Sequence, residues 1–274
     1  MCYLKWKVKQ MYEAWKKYFT FVDEVNIITK LGLGIFLFFF VIFIHNFDVM
    51  IYLTALMFLF LLIFGGMKLK VTALFVLYTV IFSIISALFM IFYGDGTHTL
   101  FKLGFIHITT ESLVRGLHLS MRTDTVTFFG IVMAFTSQIV MIFYSLMQHL
   151  RVKPKVAYAF MAAIRMVPLI ISSFIQLRKS LKMRYRMVDK SNYRGFKRVK
   201  HLIIPLLSQN IRKAHQLSVA MEKKGFKDGK RTYYYYAPFS YRDILFILLF
   251  AAILIISVML AHYLPITGIT DVRG

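Results

Sequence analysis

Five long apolar runs decide most of what this chain can fold into. They extend over about Leu31–Phe47, Val49–Met67, Val71–Tyr93, Thr125–Leu150 and Ile244–Leu264, and each approaches the ~20 residues with which an α-helix crosses a ~30 Å hydrocarbon core. Composition agrees. Of 274 residues, 59% are hydrophobic and 17% aromatic, and the mean hydropathy of +0.66 exceeds that of an ordinary soluble domain. The expected fold class is an all-α integral membrane protein with about five transmembrane helices and a cytoplasmic domain. His45-Asn46 with Asp48, Gly65-Gly66-Met67-Lys68 and Gly94-Asp95-Gly96 separate the first spans. The amino terminus, MCYLKWKVKQ, stays polar to Lys30, so no cleaved signal peptide is expected. Cys2 is the single cysteine, which excludes an internal disulfide and a thiol pair for zinc or redox chemistry.

The formal charge of +22 must lie outside the bilayer core. Residues 151–242 hold 22 Lys and Arg against three acids, Asp189, Glu222 and Asp228. Residues 1–30 hold six more, and Lys68 and Lys70 belong to the same side, which the positive-inside rule makes cytoplasmic. The loop 94–110 carries only Lys102, as an outer loop should. Three parts result: a membrane bundle with a cytoplasmic N-terminal segment over 1–150, a basic cytoplasmic region over 151–242, and a last transmembrane helix with its tail over 243–274. Val156–Leu177 is apolar enough for a further span. However, Arg151, Lys153 and Lys155 precede it, Arg178, Lys179, Lys182 and Arg184 follow it, and Arg165 and Pro168 interrupt it, so it reads as interfacial or packed under the bundle. Glu111, Arg115, His118 and Arg122 form one polar stripe at helical spacing. A surface helix at the outer interface is the expectation there, with a buried polar conduit as the alternative.

Two amphipathic helices are expected within the basic region. After Pro168, Ile170, Phe174, Ile175, Leu177 and Leu181 share one face, and Ser172, Gln176, Lys179, Lys182 and Arg186 another. After Pro205, Leu207, Ile211, Ala214, Leu217 and Met221 repeat the pattern against Arg212, Gln216 and Lys223. Both prolines are expected in a first helical turn, where the missing N–H costs nothing. Both helices end in basic clusters, Lys182-Met183-Arg184-Tyr185 and Lys223-Lys224-Gly225, joined by the polar linker Asp189–Lys200. A left-handed glycine cap with lysines at the negative end of the helix dipole is a sufficient structural account of the second ending.

The order of these marks resembles the transmembrane T component (EcfT, or CbiQ-like subunit) of energy-coupling factor transporters, a branch of the ABC importers. Val22-Asp23 through Thr29-Lys30-Leu31 is similar to that family's Leu-Asp-Pro-x-Thr-Lys-Leu lead into the first span, without the proline. Ala163-Ile164-Arg165-Met166-Val167-Pro168-Leu169 resembles the lead into the first coupling helix, and Ile204-Pro205-Leu206-Leu207 through Ala220-Met221-Glu222-Lys223-Lys224-Gly225-Phe226 resembles the second and its Ala-x-Glu-Ala-Arg-Gly-Phe end. The resemblance implies a bacterial cell-membrane protein with two cytoplasmic coupling helices, each docking on one of two ABC ATPase subunits. A separate small membrane subunit would bind the substrate, a vitamin, vitamin precursor or metal. The docking positions it implies are Met183, Arg184 and Tyr185, where only the arginine matches, and Lys223, Lys224 and Gly225, where lysine replaces arginine. Lysine keeps the charge and loses the planar bidentate fork. Arg165, Pro168, Pro205, Ala220 and Glu222 are supporting positions. No cofactor is expected in this chain; ATP and Mg would be bound by the partner ATPases.

The chemistry-bearing motifs of other classes are absent. There is no Gly-x-x-x-x-Gly-Lys-Ser/Thr phosphate loop, no HExxH or paired-ligand spacing among the eight histidines and no Gly-x-Ser-x-Gly elbow. These features point away from an enzyme or a metal site. Tyr233–Tyr236 read as an aromatic belt before the last span. The reading from another class is a membrane-anchored protein whose cations grip anionic lipid or nucleic-acid phosphates. Such a tail needs charge but neither prolines, a glycine cap nor two similar helices. Anionic lipid is therefore kept as a partner, and nucleic acid is not.

Overall fold

The computed structural model describes residues 16–93, 99–103, 106–150, 152–187, 196–226, 236, 239–269 and 271–272. The helices are α1 (Ile27–Phe43), α2 (Phe47–Phe64), α3 (Leu69–Tyr93), α4 (Thr110–Thr136), α5 (Ile139–His149), α6 (Pro154–Met187), α7 (Phe196–Lys223) and α8 (Tyr241–Tyr263). The membrane bundle is all-α, as expected. The α3–α4 loop adds one antiparallel hairpin, β1 (Thr99–Leu103) with β2 (Ile106–Thr109). Among the described residues, α2, Leu69–Phe92 of α3, Pro154–Met183 of α6, and α8 are long and apolar enough to cross a membrane; α4 with α5 meets the test only as a broken pair.

The chain divides into two compact units, residues 1–142 with 237–274, and residues 143–236. In the first, Met50, Leu53, Met57, Phe60 and Leu61 place one face of α2 against Leu37 and Val41 of α1, Phe128, Phe129 and Val132 of α4, and Phe246, Phe250 and Leu254 of α8. Edge-to-face contact of Phe129 with Phe250, centroids 5.6 Å apart, locks α4 to α8. The opposite faces, including Phe36, Phe39, Phe82, Phe89, Ile244 and Leu248, are exposed, the arrangement expected where lipid rather than water is the solvent. Gly116 lets α4 approach α3 closely: a Cβ there would meet Ile91 Cγ1 at 2.6 Å and the Ala87 carbonyl at 3.0 Å.

Three expectations are corrected. The fourth apolar run is not one helix over Thr125–Leu150: α4 begins at Thr110, where Thr109 caps it by accepting from Ser112 N, and it ends at Thr136. The polar stripe does not lie on an outer surface. His118 is buried, Glu111, Arg115 and Arg122 are half-buried, and Leu113 and Leu117 face outward, because in lipid the apolar side of a helix is the outer one. Arg115, His118 and Arg122 of the stripe instead line an open cavity of about 320 Å³ with His45, Met90, Leu119 and Val272. Finally, Pro168 and Pro205 lie inside α6 and α7 rather than at their first turns. Residues upstream of each proline carry the helix through it, although each forfeits one i to i−4 bond.

The tail after α8 is tied to the α1–α2 turn. The buried Asp48 accepts from Thr267 N (2.9 Å), Thr267 Oγ1 (2.7 Å) and Gly268 N (3.0 Å). Arg115 Nε donates to the Val272 carbonyl at 3.2 Å, and Arg122 donates to the Ile44 carbonyl at 3.0 Å just past the end of α1.

Candidate coupling surface

Two features bear on function: a buried polar girdle at the start of α1, and the basic ends of α6 and α7. The girdle contains the Asp23 to Lys30 mark. Thr20 and Asp23 form a capping box around a single 3-10 turn, Phe21–Glu24, and Lys16 pairs with Asp23. Asn26 caps α1 by accepting from Ile28 N at 3.1 Å. Asp243, in the first turn of α8, accepts from Asn26 N (2.7 Å) and Thr29 Oγ1 (3.2 Å) with one oxygen and from Ser240 N (2.7 Å) with the other. Lys30 is only 1% exposed, and its ammonium donates to the carbonyl (3.0 Å) and hydroxyl (3.3 Å) of Thr136. A cation therefore meets the negative end of α4 at its last residue. Sequence reasoning missed Asp243 and Thr136 as members; a charge in the first turn of an apolar run was the available signal.

The second basic end is built by the backbone. Phe226 N donates to Met221 O at 3.0 Å and Gly225 N to Glu222 O at 2.9 Å, with Gly225 at φ +77°. These are the paired bonds of a Schellman cap, which needs a left-handed residue after the helix. A Cβ at Gly225 would meet nothing within 4 Å, so glycine is required here by φ and not by crowding. Ala220, Glu222, Lys223, Lys224 and Gly225 are all exposed. So are Ile203, Ile204, Leu207, Ile211 and Leu217 along the same helix, which leaves these apolar positions uncovered among the described residues.

At the first basic end, Met183 is exposed at 65% and Arg184 and Tyr185 continue α6, while the side chains of Arg184 and Tyr185 lie outside the described part of the structure. Arg165 and Pro205 are exposed and Pro168 is half-buried. Most of the linker Asp189–Lys200 and Tyr233–Tyr235 of the aromatic run lie outside the described residues; Tyr236 is exposed. Within the second unit, α6 and α7 are joined by a hydrogen bond from Lys213 Nζ to Ser173 Oγ at 3.0 Å and by the Tyr158 and Phe226 rings, edge to face with centroids 5.7 Å apart.

The family model described as CbiQ, cobalt transport protein, matches residues 20–235, which include α1 to α7 and both basic helix ends and stop short of α8. The chain belongs to the CbiQ family. Among curated relatives of this CbiQ-family chain, the energy-coupling factor transporter transmembrane protein EcfT of Lactococcus lactis subsp. cremoris is 25% identical over 194 residues, covering 68% of this chain and 69% of the relative. The protein of the same name from Streptococcus equi subsp. equi is 28% identical over 177 residues, covering 60% and 64%. Family membership and the apolar helices together make this a multi-pass membrane protein of a transporter family.

Proposed function

We propose that this chain is the transmembrane coupling subunit of an energy-coupling factor importer. Two cytoplasmic ABC ATPases dock on the ends of α6 and α7, at Met183-Arg184-Tyr185 and Lys223-Lys224-Gly225. A separate small membrane subunit supplies the micronutrient site, and the ATPases bind and hydrolyse ATP with Mg. The observation that carries the reading is the exposed, Schellman-capped end of α7, which presents two lysines beyond an uncovered apolar helix face in a chain of this family. A lysine pair held on a defined cap offers charge-assisted hydrogen bonds to carboxylates of a partner groove, and the bare Gly225 leaves room for that partner's backbone. Closure of the ATPases on ATP would move the two helix ends relative to each other, and the helices would carry that displacement to the membrane, where the small subunit reorients.

The test is charge reversal. Arg184→Glu with Lys224→Glu should weaken association with the ATPases by about tenfold or more, the scale of losing charged hydrogen bonds. Unchanged association would remove the docking reading.

A further inference from the structure

A hydrogen bond and a ring contact tie α6 to α7 at matched spacings. On α6, Tyr158 and Ser173 are fifteen residues apart; along α7 and its cap, Lys213 and Phe226 are thirteen apart. At 1.5 Å per residue these separations are ~22 Å and ~20 Å. Pairing Tyr158 with Phe226 and Ser173 with Lys213 thus makes the two helices run antiparallel between the ties. The capped end of α7 lies some 20 Å along the chain from the Lys213 tie, and the ring contact holds it against α6 there. Phe226 follows Gly225 directly and its own N–H closes the cap, so holding its ring holds the lysines. Tyr158 is itself well placed as an anchor: its neighbour Ala157 is buried, and Phe160 stacks on Phe143 of α5 with centroids 5.7 Å apart.

We propose that Tyr158 and Phe226 are positioning residues that fix the direction in which Lys223 and Lys224 are presented to the ATPase, an inference that rests on the docking reading above. Neither ring touches the partner; they act through the lysines. The tie joins the end of α7 to the first turns of α6 and, through Phe160 and Phe143, to α5. Displacement of the docked end therefore reaches the base of the coupling region by contact as well as through the helix.

The experiment uses the full chain in nanodiscs, with Cys2→Ser and spin labels at Lys155→Cys and Lys224→Cys. The distance distribution between the labels should be narrow with the native rings. It should broaden in Tyr158→Ala, in Phe226→Ala and to the same extent in the double variant, and narrow again in Phe226→Tyr. Affinity for the ATPases should fall about threefold to tenfold in the alanine variants, the scale of one edge-to-face pair. A narrow distribution in both alanine variants would overturn the proposal. So would wild-type affinity in them when Lys224→Glu abolishes binding, a pattern that leaves the docking reading intact. If Arg184→Glu with Lys224→Glu binds as well as wild type, the docking reading itself fails and the positioning role falls with it.

Discussion

Replacing Asp243 by alanine should be among the more damaging single changes in the bundle, and the structure sets its scale. The carboxylate is 4% exposed and accepts three hydrogen bonds, two of them at 2.7 Å from the backbone N–H groups of Asn26 and Ser240. A hydrogen bond to a charged group contributes about 1.5–3 kcal/mol, and an orphaned buried donor costs about 1–3 kcal/mol. The buried charge's own desolvation penalty offsets part of this. The net loss for Asp243→Ala should be about 2–4 kcal/mol. Asp243→Asn keeps an acceptor for Asn26 N but turns an NH₂ toward Ser240 N, and should lose about half as much. In a thermal series on detergent-solubilised protein read by size-exclusion fluorescence, a fall of about 2–4 °C per kcal/mol puts the alanine variant roughly 4–16 °C below wild type. Glu24→Ala is the internal control. Glu24 pairs with Arg242, the neighbour of Asp243, but the side chains are 58% and 39% exposed, so its removal should shift the midpoint by about 1–2 °C or less. If Asp243→Ala matched Glu24→Ala, or Asp243→Asn proved worse than alanine, the girdle would not be the clasp between α1 and α8 described above.

Further outcomes follow from the same contacts. Gly225→Ala forces a side chain into the left-handed region at about 1–2 kcal/mol, so hydrogen exchange at the Gly225 and Phe226 amides should accelerate about tenfold, with Gly225→Asn milder. Gly116→Leu should separate α3 from α4, because even a Cβ would meet Ile91 at 2.6 Å; loss of monodisperse protein on detergent extraction is the readout. Asp48→Ala removes the acceptor of three hydrogen bonds from Thr267 and Gly268, and should expose residues 265–272 to limited proteolysis while sparing the bundle.

The helices α2, α3 and α8 were legible in the sequence because lipid asks only for length and apolarity, whereas Pro154–Met183 of α6 meets the same test although its basic flanks read as interfacial. The break after Thr136 was not legible, since Ser137-Gln138 interrupts hydrophobicity for two residues only; what ends α4 there is accompanied by Lys30, 106 positions away, on its last carbonyl. The polar stripe of α4 misled for a related reason. Its partners are the carbonyls of Ile44 and Val272, which periodicity cannot see, and without them an inward-facing arginine looks like a surface one. The prolines were placed at helix starts by local rule, yet the apolar residues 156–167 and the helix-forming residues 196–204 continue the helices through them. The glycine ending was legible down to its φ, because a Schellman cap is local. Its anchoring by Tyr158, 68 positions upstream, was not.

The most direct test of the coupling role is to tag the chain, solubilise its native membranes gently, and identify by mass spectrometry what stays bound through a moderate-salt wash. Two ABC ATPase polypeptides, or one in two copies, should be recovered with a small hydrophobic membrane protein, because docked helices with apolar faces resist salt. Recovery of only lipid or nucleic acid, lost steeply as salt rises in the manner of phosphate binding by the 22 cations of residues 151–242, would contradict the coupling role.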